Sequence, residues 1–127
     1  MKYFPKNVKF LSTQRFLDGG KSSGNFENFN LALHVNDKRE SVIKNRSILE
    51  NYYDLPSEPV WINQTHSSIC VNASTIKTIV DADASFTSDS GVVCGILTAD
   101  CLPVFVSKKD GSKEEGMRWL LGMAGVM

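Results

Sequence analysis

The sequence predicts an α+β fold in one domain, in which helices flank a mixed β-sheet. Residues 38–53 show one clear helical pattern, and residues 91–97 and 102–106 form two apolar runs bounded by turn residues. One helix stands among several strands without regular alternation, which points to an α+β or a mixed α/β fold. With 127 residues, the chain is long enough to bury a single core. We therefore treat residues 1–127 as one domain and set residues 113–127 apart as a tail of different composition.

The predicted helix carries an apolar stripe. Asp37 and Glu40 form a variant of the capping box at its start, and Pro56 follows its end, where a helix cannot continue. Asn45 and Arg46 lie off the stripe and are interpreted as solvated helix positions. The stripe comprises Val42, Ile43, Ile48, Leu49, Tyr52 and Tyr53.

Short apolar segments predict the strands. They lie at residues 8–12, 59–62, 69–71, 76–80, 91–97 and 102–106. The last two are continuous apolar runs, which is typical of strands that are buried on both faces. Residues 113–127 could form a weak amphipathic helix, although each of the three glycines there costs about 1 kcal/mol in a helix.

Charge and cysteine usage exclude several classes of function. The chain has 14 basic and 14 acidic residues, so net charge favours neither nucleic acid nor an anionic membrane as a partner. It contains no run of 18 apolar residues that would predict a membrane span. The first residues lack the apolar stretch of a signal peptide, and three cysteines show no paired spacing. We therefore expect a cytoplasmic protein with reduced thiols.

Two residues stand out as candidates for chemistry. His66 lies in a QTHS segment just after an apolar strand, and Cys101 lies in a TADCLP segment between the two most apolar runs. An imidazole and a thiolate are suitable zinc ligands, and they are equally a base and a nucleophile. The alternatives are an ordinary surface histidine and a small buried hydrophobic cysteine. The polar loop at residues 18–25 similarly permits either a ligand-binding loop or a plain surface turn.

A series of motifs resembles the laccase-domain family, also described as the multicopper polyphenol oxidase or peptidoglycan-editing-factor family. The motifs follow the family's order from about Phe10 to Ser112. TADCLP is the most specific of them. They are GGKS at 19–22, NL at 30–31, HVND at 34–37, NR at 45–46, QTH at 64–66, ADA at 82–84 and TADCLP at 98–103.

The resemblance implies the N-terminal half of a cytosolic metalloenzyme with the laccase-domain, cysteine-hydrolase-like fold. It implies a zinc ion held by His66, Cys101 and a third histidine. Purine nucleoside phosphorylase and adenosine deaminase activities follow from it, with a purine nucleoside and phosphate as substrates. Asp100 would orient a ligand or move a proton, or it simply forms a turn. The residues implied to bind phosphate or substrate are Arg15, Asn30, Arg46 and Gln64.

The sequence departs from the family where the third ligand is expected. The family's HAGWRG motif corresponds to residues 115–121, which contain no histidine, and His34 is the only histidine besides His66. The family's second half is absent as well, so we expect an incomplete fold, from either a truncated or frame-disrupted product or a natural shortened protein. Two protein ligands bind zinc far less tightly than three.

Three functions follow as hypotheses. The first is the zinc-dependent phosphorylase or deaminase. The second is a catalytically inactive fragment or interaction module that self-associates through uncovered strands at residues 91–97 and 102–106. The third is copper-dependent oxidation of phenols, which two histidines support poorly.

Overall fold

The structure, a computed structural model, describes residues 6–107 in full and residues 118–124 by their backbone. Its elements are one α-helix, one short 3₁₀ helix and five strands. In chain order they are β1 (Val8–Thr13), the 3₁₀ helix (Gly24–Phe26), α1 (Arg39–Tyr52), β2 (Cys70–Asn72), β3 (Ala84–Phe86), β4 (Val93–Thr98) and β5 (Arg118–Ala124). One helix among five strands agrees with the predicted α+β class, while the detailed laccase-domain fold and its incompleteness stay predictions.

Strand β5 occupies the centre of the larger sheet, whose order is β1-β5-β4. Both neighbours run parallel to it, so that Leu11 and Gly95 are each paired with Leu121. The prediction of a helix in the tail is wrong for residues 118–124, which form β5. A segment of modest helix propensity gains backbone hydrogen bonds on both sides when it lies between two strands, and this tertiary gain exceeds its local preference.

The remaining strands form smaller pairings. β2 and β3 make a two-stranded parallel sheet. The strand predicted at 59–62 is reduced to a single bridge between Val60 and Cys94, and residues 76–80 form no strand. Every ladder within the described residues is parallel, so the predicted mixed sheet is not seen there.

Helix α1 confirms the predicted helix to within one residue at each end, but its buried face is different. Its N-cap is Lys38 rather than Asp37, and no side chain caps it. The buried positions are Val42, Asn45 and Leu49. The predicted solvation of Asn45 is wrong, since this side chain is fully buried. The predicted stripe also included residues that are exposed, namely Ile43 and Tyr52.

The core lies between α1, the loop before it and strand β4. It consists of Phe29, Leu31, Leu49, Trp61 and Val93. Burial of the run at 91–97 is largely confirmed because β4 lies between β5 and the Val60 bridge, so this run is not uncovered.

The run at 102–106 is different. It forms no strand, and Leu102, Val104 and Val106 are 85%, 71% and 79% exposed. The predicted burial of this segment on both faces is therefore wrong. Phe105 nevertheless contacts Phe10 of β1, with ring centroids 5.3 Å apart, because alternate side chains of an extended segment lie on opposite sides. Within the described residues, no helix has the length and apolar character needed to cross a bilayer.

Candidate functional site

The carboxyl edge of the larger sheet gathers several of the candidate residues. β1 ends at Thr13 and β4 ends at Thr98, and both run in the same direction alongside β5. Arg15 follows β1 by two residues, and Asp100 and Cys101 follow β4 by two and three. The carboxyl ends of parallel strands meet at one edge, and open α/β sheets bind their ligands there.

Gln64 brings the QTHS segment to the same edge. Its side-chain Nε2 donates to the carbonyl of Leu97 at 2.7 Å, and its Oε1 accepts from the Leu97 N–H at 2.8 Å. This pair of bonds fixes the start of the His66 turn beside Leu97 near the end of β4, four residues before Cys101. The structure thus places the two predicted metal ligands on neighbouring segments, and both residues are exposed.

The turn that bears His66 is organised by Asp83. The Asp83 carboxylate accepts the backbone N–H groups of three consecutive residues, Thr65, His66 and Ser67, at 3.0, 3.1 and 2.8 Å. The Ser67 hydroxyl donates to it as well, at 2.7 Å. His66 itself has a φ of +59°, in the left-handed region that few residues other than glycine adopt.

These bonds also determine the charge of Asp83. The N–H of Ser67 and then its hydroxyl are the largest of the contributions that lower the pKa of Asp83 from 3.8 to about 2. The N–H groups of Thr65 and His66 act in the same direction, while partial desolvation opposes them. Asp83 is therefore ionised throughout the neutral range and holds the turn as a carboxylate.

The three cysteines differ in access. Cys70 and Cys101 are exposed and Cys94 is buried. Burial raises the pKa of the Cys94 thiol, which favours its protonated and less reactive form. Of the two accessible thiols, Cys101 is the one that follows β4 at the candidate edge.

The donor types at this edge suit zinc, but their number falls short. Imidazole and thiolate are both common zinc ligands, and catalytic zinc sites use three protein ligands with one open position. Within residues 6–107, no group of three or more His, Cys, Asp or Glu side chains is placed to hold a metal ion. Of the segment expected to supply the third ligand, residues 115–117 lie outside the described residues, and 118–121 are described by backbone alone.

A second polar cluster lies beneath the glycine loop. The Asn45 amide accepts from the N–H of Lys21 at 2.7 Å and donates to the Ser22 hydroxyl at 2.9 Å and to the Asn30 carbonyl at 2.8 Å. Asn30 in turn donates to Ala32 at 3.2 Å and to Asp37 at 3.1 Å. Both asparagines are fully buried. Their hydrogen bonds join the glycine loop to α1. The asparagines of the NL and NR motifs therefore have a structural role.

The two arginine candidates also bond to main-chain carbonyls. Arg46 donates twice to Leu31 O, at 3.0 and 2.8 Å, and its guanidinium lies 4.3 Å from the ring centre of Trp61. Burial lowers the pKa of Arg46, which Glu58 partly offsets. Arg15 is exposed and donates to the carbonyls of Glu27 and Asn25 at 2.7 and 3.1 Å. Roles for Arg15, Asn30, Arg46 and Gln64 in binding substrate stay predictions.

Two residues at this edge had no role assigned from sequence. Asp83 was part of a motif, but its four bonds depend on a turn some 16 residues earlier in the chain, which no local pattern reveals. The other is Thr13, whose buried hydroxyl at the end of β1 has no hydrogen-bond partner among the described residues. A threonine at a strand end gives no signal of its own in the sequence.

Together, the parallel sheet and the exposed histidine and cysteine at its carboxyl edge define a domain of α+β class with a candidate small-molecule site. The sequence profile of the family described as multi-copper polyphenol oxidoreductase laccase matches residues 9–113. The chain belongs to this laccase-domain family, as its motifs predicted.

Relatives in this family carry the name purine nucleoside phosphorylase. A Haemophilus influenzae protein of that name is 36% identical over 109 residues, which cover 86% of this chain and 44% of the relative. A Xylella fastidiosa protein of the same name is 40% identical over 119 residues, which cover 86% of this chain and 45% of the relative. The chain thus spans about half the length of the curated relatives that it matches.

A solved structure supports the fold. The crystal structure of the Neisseria meningitidis protein NMB0706 aligns with a TM-score of 0.60 at 40% sequence identity. The alignment covers 66% of this chain and 34% of that protein.

Proposed function

We propose that this chain forms part of a zinc-dependent purine nucleoside phosphorylase of the laccase-domain family, with adenosine deamination as a second reaction. Family membership and the shared name of the relatives support this proposal. The substrates would be a purine nucleoside and phosphate. A cytoplasmic location is part of the proposal, because three free thiols are typical of a reducing compartment.

The observation that carries the proposal is the bond pair between Gln64 and Leu97, which joins the turn of His66 to the strand that leads to Cys101. Two exposed side chains of types that can bind zinc, distant in sequence, thus lie on adjoining segments of one sheet edge. Under this proposal, a third donor from the part of the chain outside the described residues completes the site. Zinc bound there would polarise a substrate oxygen or a water molecule.

Arg15 is the proposed phosphate ligand at the same edge. A guanidinium matches two phosphate oxygens at once, and Arg15 is exposed and follows β1 by two residues. Its present bonds to the carbonyls of Glu27 and Asn25 show that it already serves as a double donor. Phosphate would replace these two acceptors. Asp100, which is exposed beside Cys101, would accept or return a proton near the departing base under this proposal.

Zinc content and phosphorolysis together test the proposal. We expect the purified chain to hold close to one zinc ion and to release hypoxanthine from inosine only when phosphate is present. His66→Ala and Cys101→Ser should each abolish the bound zinc. His34→Ala and Cys70→Ser are matched controls, because they remove an exposed imidazole and an exposed thiol elsewhere. Equal zinc in all five proteins, or none in the parent, would contradict the assignment of the ligands.

An inactive interaction module is the second candidate. Exposed Leu102, Val104 and Val106 favour it. This function predicts self-association in sedimentation experiments together with no phosphorolysis. Substitution of Val104 by Lys should then yield a monomer.

Copper-dependent oxidation of phenols is favoured only by the description of the family as multi-copper polyphenol oxidoreductases. It predicts oxygen uptake when copper and a phenol are added to the protein. Since multicopper sites use many imidazoles and the chain has two histidines, we expect no uptake.

A further inference from the structure

We propose that Asp83 is a positioning residue whose carboxylate holds the turn at residues 65–67 in the conformation that presents His66. The part of this inference that concerns ligation rests on the proposed function, whereas the part that concerns the turn does not. Asp83 contacts only the main chain of His66, so its role is to orient a proposed ligand rather than to bind one.

The two carboxylate oxygens have different tasks. Oδ1 accepts three bonds, from the N–H of Thr65 and from the N–H and hydroxyl of Ser67. Oδ2 accepts the N–H of His66 alone, at 3.1 Å. Three consecutive N–H groups that converge on one anion form a concave arrangement that a neutral side chain cannot satisfy in full.

Asp83 is itself held firmly. Its own N–H donates to Ile69 O at 3.0 Å, just beyond the turn. Just before the turn, the N–H of Ala82 donates to Asn63 O at 3.0 Å, and Asn63 N–H donates to Val80 O at 2.9 Å. The segment that bears the carboxylate is therefore tied to both ends of the turn. The position of Asp83 therefore determines the position of His66 at the centre of the turn.

The backbone conformation of His66 is the feature that these hydrogen bonds maintain. A non-glycine residue at a φ of +59° is costly and persists only where its surroundings specify it. An ordinary surface histidine needs no such arrangement. Metal-binding histidines, in contrast, are commonly oriented by a carboxylate or carbonyl behind them, and loss of such a partner weakens metal binding. In this chain the carboxylate acts through the main chain of the histidine.

Asp83→Asn tests the inference with unusual selectivity. The amide oxygen can replace Oδ1, whereas the amide NH₂ would then oppose the N–H of His66. We expect hydrogen exchange of the His66 amide to accelerate by roughly tenfold to a hundredfold, as for a lost bond to a charged group. Exchange at Thr65 and Ser67 should change much less. The experiment is done by NMR on the full chain without metal.

Two further variants separate position from charge. Asp81→Asn is the matched control, since Asp81 lies two residues away and is exposed, and its carboxylate accepts the side-chain amide of Asn63 at 2.8 Å rather than any N–H of the turn at residues 65–67. It should leave the His66 amide unchanged. Asp83→Glu keeps the charge but displaces it by one methylene, so it should also expose the His66 amide. If Asp83→Asn fails to fold, as judged by loss of hydrogen-exchange protection in β4, exchange of the His66 amide in Asp83→Glu tests the inference instead.

Zinc affinity, measured against a competing chelator, gives the second readout. We expect Asp83→Asn to bind zinc about tenfold more weakly than the parent while Asp81→Asn is unaffected. Unchanged exchange at His66 in Asp83→Asn, or full rescue by Asp83→Glu, would overturn the inference. A parent chain that binds no zinc would overturn the proposed function instead, and exchange at His66 would still decide the role of Asp83.

Discussion

Two clusters of polar side chains, one around Asn45 and one around Asp83, hold loops in this molecule by opposite means. Asn45 is fully buried, and its amide satisfies main-chain and side-chain groups within the core. Asp83 lies near the surface, and its carboxylate collects N–H groups from a turn whose side chains reach solvent. The first cluster therefore joins elements of the fold, while the second positions a residue that is accessible to a ligand.

The difference has an energetic basis. A neutral amide that is removed from the core leaves partners that water cannot reach, so the loss appears in global stability. An ionic group near the surface is largely screened by solvent, so its loss alters local order more than the free energy of unfolding. Substitutions should therefore separate the two clusters.

Asn45→Ala should cause the largest effect. It removes three hydrogen bonds and leaves the buried Asn30 carbonyl without that donor, at a cost of about 2–4 kcal/mol in the free energy of unfolding. Urea denaturation measures this value. Ser47→Ala, at an exposed position of the same helix, is the control and should change stability by less than about 0.5 kcal/mol. Similar values for both variants would refute the structural role of Asn45.

Gly20→Ala should follow, because a Cβ atom at this position would overlap the side chain of Asn28. That side chain cannot shift freely, since its Oδ1 accepts the N–H of Leu17. The expected loss is about 1–3 kcal/mol. A double-mutant cycle with Asn28→Ala sharpens the test, since the two losses should be less than additive. Strict additivity would show that the two residues do not interfere.

Substitution of His66 measures the strain at the turn. Valine disfavours a positive φ, while glycine accepts it, so His66→Val should be less stable than His66→Gly by about 1 kcal/mol. Thermal or urea unfolding of the two variants is the measurement. Equal stability would mean that the turn relaxes to an ordinary conformation once histidine is gone.

The pH dependence of Asp83 should be the smallest effect. Its pKa is lowered in the folded protein to about 2, so the stabilisation is fully present above its ordinary value of 3.8. It should be lost as the pH falls from about 4 towards 2. The difference in unfolding free energy between the parent and Asp83→Asn should therefore shrink over this range. A difference that stays constant from pH 5 to 2.5 would contradict the assigned direction.

Local patterns predicted the parts of the fold that depend on local signals. Strand β1, helix α1 and strand β4 all lie where apolar periodicity placed them. The tail was predicted as a helix and forms β5, because its conformation depends on the open position between β1 and β4, which are distant in sequence. Periodicity alone cannot detect such a position.

The candidate site shows the same division. Motif resemblance identified His66 and Cys101, and the structure puts both on exposed segments at one sheet edge. Motif resemblance could not reveal that Asn45 is buried or that Asp83 organises the turn, since both facts depend on contacts between distant segments. A buried asparagine and a solvated one look alike in a helical pattern, because the partners that satisfy it come from elsewhere in the chain.

If His66 and Cys101 hold one metal ion together, as we propose, thiol labelling should reveal it. Cys70 and Cys101 are both exposed, whereas Cys94 is buried, so an alkylating reagent should modify the first two rapidly in the absence of metal. With zinc present, we expect labelling of Cys101 to be suppressed and that of Cys70 to be unchanged. His66→Ala should restore the labelling of Cys101. Zinc that protects neither thiol, or that protects Cys101 equally without His66, would contradict the shared site.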